Sequence, residues 1–141
     1  MRAAVMLIVA SAALAPAEAP RELIDLFASM ASALSESNAE VFLRAIDPSM
    51  PGYARFAANI EALAAQNSLT NSVEITKQES DGGVQVVELD WLLQITGKGD
   101  SHVSLRREQM VKCRLEKRQK KWRIVALELL DFFAPPNSDA R

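Results

Sequence analysis

SVEITKQESDGGVQVVELDWLLQITG, from Ser72 to Gly97, decides the fold. Apolar residues recur here every second position, the period of a strand whose side chains alternate between two faces. Val73 and Ile75 open a first strand. Asp81-Gly82-Gly83 supplies hairpin chemistry, because glycine accepts the left-handed backbone that tight hairpin turns require. The second strand then carries Val87, Leu89, Trp91, Leu93 and Ile95 on one face.

Upstream of this stretch the period is helical. Leu23, Phe27, Met30 and Leu34 mark an amphipathic helix over Arg21–Leu34. Ser37 and Glu40 have capping-box spacing, and Val41, Phe42, Ala45 and Ile46 form a short apolar face that Asp47-Pro48 ends. After the Pro51-Gly52 turn, YARFAANIEALAAQ, Tyr53–Gln66, predicts a third helix. Downstream the period stays at two. Gly97-Lys98-Gly99-Asp100 turns into a strand from His102 to Lys117, and Arg118-Gln119-Lys120 turns into a last one, KKWRIVALELLDFFAPP, Lys120–Pro136. Short turns between successive strands make an antiparallel meander. Three helices followed by four strands predict an α+β fold, with the helices packed on one face of the sheet.

The 141 residues suit one domain, here 21–136, with 137–141 a polar tail. A net charge of −2 gives no electrostatic attraction toward nucleic acid or an anionic membrane. At the N-terminus, Arg2 precedes an apolar run from Ala3 to Ala15 and then small residues. That is signal-peptide grammar, with cleavage expected after Ala17 and a secreted or periplasmic location. A retained N-terminal helix or anchor is the alternative. Cys113 is the only cysteine, so no intramolecular disulfide forms; its place among Val111 and Leu115 reads as a small buried hydrophobe.

Three N-terminal helices, long antiparallel strands and the closing Trp122-Arg123-Ile124 phrase resemble the nuclear-transport-factor-2-like superfamily. It includes ketosteroid isomerase and polyketide-cyclase-like proteins. The resemblance implies a strongly bent sheet wrapped with the helices into an open, cystatin-like cone, a ligand pocket inside it, and a homodimer through the outer sheet face. It also places the isomerase's oxyanion tyrosine on the first helix, where this chain has Phe27 and Met30. No isomerase residue is therefore carried over.

No metal-ligand spacing, phosphate-binding loop or nucleophile elbow is present, and no cofactor or metal is expected. The single histidine, His102, sits at a hairpin end. Glu88 and Asp90 fall on the face opposite Trp91, as solvated groups or partners of Arg106 across the hairpin. The basic run around Lys117–Lys121 reads as a solvated turn.

The expected pocket lining is Tyr53, Phe56, Trp91, Leu105, Arg107 and Glu128. Arg107 shares the parity of Leu105, Val111 and Cys113, and Glu128 interrupts that of Trp122, Ile124, Ala126, Leu130 and Phe132. Buried charge requires a partner, so the two meet inside the cone; a β-bulge turning Arg107 outward is the other reading. Three functions suit this pattern. The first is a non-catalytic domain binding a small apolar molecule or a partner in the cone. The second is a polyketide-cyclase-like or dehydratase-like enzyme with Glu128 or Asp90 as general base. The third is a dimeric interaction module without a ligand pocket. The last strand is apolar on both sides, with Val125, Leu127, Leu129 and Phe133 opposite the first set, so a partner subunit is expected to cover one side.

Overall fold

In the computed structural model, which describes residues 20–99 and 104–136, the apolar stripe of the first helix meets the sheet as its spacing requires. Helix α1, Arg21–Ser35, buries Leu23, Phe27, Met30 and Leu34. The leader, His102 and the tail at 137–141 lie outside the described residues.

The end of α1 changes the reading of the next helix. Ser37 takes a left-handed backbone, φ 61°. Its amide donates to the Leu34 carbonyl, and that of Asn38 donates to Ala33 at 2.8 Å, the paired bonds that close a helix through a left-handed residue. Ser37 is thereby committed to α1 and cannot cap the second helix. The cap is Asn38, one residue later, whose side chain accepts from the Val41 amide at 3.1 Å. Helix α2 is only Ala39–Leu43. The chain then lies beside the last strand, with a parallel bridge between Ile46 and Ile124.

Helix α3, Tyr53–Gln66, starts at Gly52, which holds φ 79°. A Cβ there would sit 2.9 Å from Leu130 Cδ1, so both backbone and space favour glycine. Strand β1, Asn67–Asp81, follows α3 with no linker. It begins five positions before the periodic signal, because Asn67 is buried and donates to the Leu63 carbonyl at 3.1 Å. A polar run at a helix–strand junction hides the strand's start.

Strands β2, Val84–Gly97, β3, Ser104–Arg118, and β4, Lys121–Leu127, complete an antiparallel sheet in the order β1-β2-β3-β4. Register slips occur between Ile75 and Lys77 in β1, and where β4 meets Arg114 and Leu115 of β3. Such slips bend a sheet. Its concave face supplies Leu69, Val87, Leu89, Trp91, Leu93, Ile95, Val111, Cys113, Leu115 and Ile124 to one core shared with the helices.

The last strand corrects the sequence reading. It stops at Leu127; Leu129 turns left-handed, φ 68°, and Leu130–Phe133 form a short 3₁₀ helix. Apolarity on both sides of the expected strand is in part a change of period. The new helix carries Phe132 and Phe133 into the core, where they are 6% and 1% exposed.

One loop is tied to the β3–β4 hairpin by charge. Asp47 accepts from the Ser49 amide and hydroxyl at 2.9 and 2.8 Å, and from Arg118 Nε at 2.9 Å. The Ser49 amide is foremost in holding its carboxyl down to about 2. A depressed carboxyl stabilises the fold above its ordinary range and loses that contribution as pH falls through the folded value. Unfolding midpoints measured on acidification from about pH 5 toward pH 2 should therefore fall more steeply for wild type than for Asp47→Asn. Parallel curves would sever this loop from acid stability.

Candidate functional site

The space between sheet and helices is filled with aromatic side chains. Phe133 stands at the centre, its ring 5.7 Å from Phe42, 5.8 Å from Phe56, 5.1 Å from Trp91 and 4.9 Å from Phe132. Three of these pairs are edge-on, the arrangement in which positive ring edges meet negative faces. Phe56 and Trp91, expected to line a pocket, are each 1% exposed and packed inside this cluster.

The one polar end among these rings is satisfied. Trp91 Nε1 donates to Asn71 Oδ1 at 2.9 Å, and Asn71 Nδ2 donates to the Ala31 carbonyl at 2.8 Å and to Ser35 Oγ at 2.7 Å. One amide thus couples β1, β2 and α1. Among the described residues the buried polar side chains are Asn67 and Gln85, neither ionisable, and burial pushes the Cys113 thiol well up. No carboxylate of the described residues lies inside the cone.

Arg107 has the inward parity expected of it, and the β2–β3 register runs without a slip from Ser104 to Glu116. Its partner differs from expectation. Arg107 Nη1 donates to the carbonyls of Phe132 at 2.6 Å and Ala134 at 2.7 Å, and Glu128 is exposed just past the end of β4. The physical reason is the 3₁₀ helix. Its last carbonyls lack partners within the helix, and a guanidinium satisfies two at once. Glu128 faces outward because β4 slips register between Ile124 and Ala126: Leu127 takes the inward place opposite Cys113, and Glu128 falls on the face of Ala126 and Arg114.

The remaining expected residues are spread over the surface. Leu105 is 40% exposed on β3. Tyr53 is half-buried beside a shallow depression of about 390 Å³ shared with Leu43 and Pro48. Asp90 lies on the convex face, opposite Glu74 and Met110. Burial first, and then Glu108 and Glu74, raise its carboxyl. Arg106, its expected partner, pairs instead with Glu108 at 3.3 Å. Neither candidate general base, Asp90 or Glu128, reaches the cone.

Besides that depression, the described residues form two larger grooves outside the filled interior. One, about 480 Å³, runs between Arg106–Gln109 of β3 and Leu129, Asp131 and Phe132. The other, about 520 Å³, lies between α1, α2 and β4. Leu26, Met30, Val41 and Ala45 supply its apolar residues, Trp122 one wall, and Arg44, Lys120, Lys121 and Arg123 four cations against the carboxylates of Glu22 and Asp25. Glu22 is already engaged: it accepts from Trp122 Nε1 at 2.8 Å and faces Lys117 Nζ at 4.0 Å. The Lys117 ammonium stands 5.4 Å from the Trp122 ring. The strand pattern marks Trp122 as a strand residue and no more. Its contact with Glu22 spans 100 residues and leaves no local signal.

No family model and no curated protein matches this sequence. Solved structures do. A conserved protein from Planctomyces limnophilus superposes with a TM-score of 0.67 at 9% identity, over 75% of this chain and 90% of that one. A nuclear-transport-factor-2-like superfamily protein from Salmonella enterica gives 0.63 at 14% identity, over 76% and 86%. A hexachlorocyclohexane dehydrochlorinase gives 0.60 at 11% identity, over 75% and 80%. At these identities the likeness is one of fold, and that fold hosts diverse chemistries.

Proposed function

We propose that this chain, which has the nuclear-transport-factor-2-like fold, is a non-catalytic binding module whose ligand site is the Trp122 groove rather than the cone. The observation that carries this reading is the filled interior: Phe133 occupies the centre of the cone. A general base needs a position beside a substrate proton, and Asp90 and Glu128 stand outside. The groove offers the opposite conditions, an open apolar floor of Leu26, Met30, Val41 and Ala45 beside Trp122, rimmed by charged groups.

Its chemistry selects the ligand class. Trp122 gives a flat apolar wall. Glu22 is spent on Trp122 Nε1 and Lys117, so the rim is left with a surplus of cationic groups. An apolar or aromatic body carrying one anionic group fits this arrangement. The probe is 8-anilinonaphthalene-1-sulfonate, titrated into the folded protein and followed by its fluorescence. Trp122→Ala should weaken binding about tenfold, the loss expected when one aromatic contact of about 1.4 kcal/mol disappears. Phe133→Leu, a change confined to the cone, should leave binding unchanged. Equal binding by wild type and Trp122→Ala would remove the groove as the site. Weakening by Phe133→Leu alone would return it to the cone.

A further inference from the structure

Among the described residues, the sheet is unpaired along half of one edge. Strand β4 pairs with β3 only from Cys113 to Arg118, with one further bond from the Glu128 amide to the Lys112 carbonyl at 2.9 Å. Beyond it the chain turns away at Leu129, φ 68°. From Ser104 to Val111 no strand of the described residues lies on that side of β3. The Lys112 carbonyl points toward β4, and backbone groups alternate in direction along a strand. The amides and carbonyls of Ser104, Arg106, Glu108 and Met110 therefore face the open side, a template for another strand. Four large apolar side chains are prominently exposed among the described residues, and three of them, Leu105, Met110 and Leu129, are at this edge or line the groove beside it.

The edge is complementary to itself. A two-fold axis perpendicular to the sheet at Arg107 sets Arg106 opposite the partner's Glu108, and Glu108 opposite the partner's Arg106. Ser104 then faces the partner's Met110. All four are the residues whose backbone groups point outward, so these are the hydrogen-bonded positions of an antiparallel pair. Opposite charges directly across such a pair favour it, and like charges oppose it. Arg107 falls on the axis opposite its own copy, but each guanidinium is already engaged by two carbonyls of its own chain. A two-fold contact of this kind is closed, giving a dimer rather than a fibre.

We infer that this protein dimerises edge to edge through Ser104–Met110 of β3, forming one continuous eight-stranded sheet. The inference is independent of the Trp122 groove. It is an alternative to the outer sheet face that the family resemblance implies.

Sedimentation equilibrium of the full chain tests it, with circular dichroism confirming that each variant is folded. Wild type should associate to twice its 15.5 kDa chain mass. Arg106→Glu and Glu108→Arg should each weaken the dimer about tenfold or more, since each makes two like-charge oppositions. The double exchange should restore it. Met110→Pro removes an open-edge amide and no bond to β2, and should abolish dimerisation. A monomeric wild type, single exchanges without effect, or a double exchange that fails to recover would overturn the inference. So would a dimer that survives Met110→Pro, as one formed through the convex face would.

Discussion

Phe133→Ala should destabilise the protein by about 3–5 kcal/mol, the usual range for deleting a core phenylalanine. The ring touches four other aromatic side chains, and its neighbours come from α2, α3 and β2, whose backbones are fixed by their own hydrogen bonds. The space cannot close by a local shift, so the loss should fall in the upper part of that range. The result would be a shifted midpoint in urea at an unchanged slope. The vacated space gives a second test. An apolar cavity of this size stays dry and accepts a benzene-sized molecule, so benzene should raise the melting temperature of Phe133→Ala and leave wild type unmoved. A cost below about 1.5 kcal/mol, short of the range for phenylalanine deletions, would show that the C-terminal helix does not plug the cone in solution.

Asn71→Ala is the second large effect expected, about 2–6 kcal/mol in all. It strands the Trp91 indole N–H, and an orphaned buried donor costs about 1–3 kcal/mol. It also removes two bonds to α1, each contributing about 0.5–1.5 kcal/mol. A double-mutant cycle separates the parts. In a Trp91→Phe background there is no indole donor to strand, so Asn71→Ala should cost less there by roughly 1 kcal/mol or more. Strict additivity of the two substitutions would mean that the amide serves α1 alone.

Much of this was legible in the sequence. Leu23, Phe27, Met30 and Leu34, and Val87 through Ile95, each follow one period over several turns or pleats, and the structure buries them as that period requires. The inward parity of Arg107 was legible for the same reason. Its partner was not. Parity gives the direction of a side chain but says nothing of the element that will arrive opposite it, and the 3₁₀ helix arrives only because Leu129 turns left-handed. Leucine gives no advance sign of a positive φ, whereas Gly52 and Gly82 announce one. Ser37 shows the same limit from the other side. Its spacing to Glu40 suited a cap, and the end of the preceding helix claimed it first.

The sequence by itself determined the element order, the two periods and the core face of each element, because these depend on neighbours along the chain and on burial of apolar area. The tertiary structure decided what fills the cone, what holds Arg107 and Asn71, and which edge of β3 stays open. All of these but the hold on Asn71 depend on where one residue, Leu129, takes the chain out of the sheet. That turn delivers Phe133 to the centre of the interior, and among the described residues it leaves the edge of β3 from Ser104 to Val111 without a neighbouring strand.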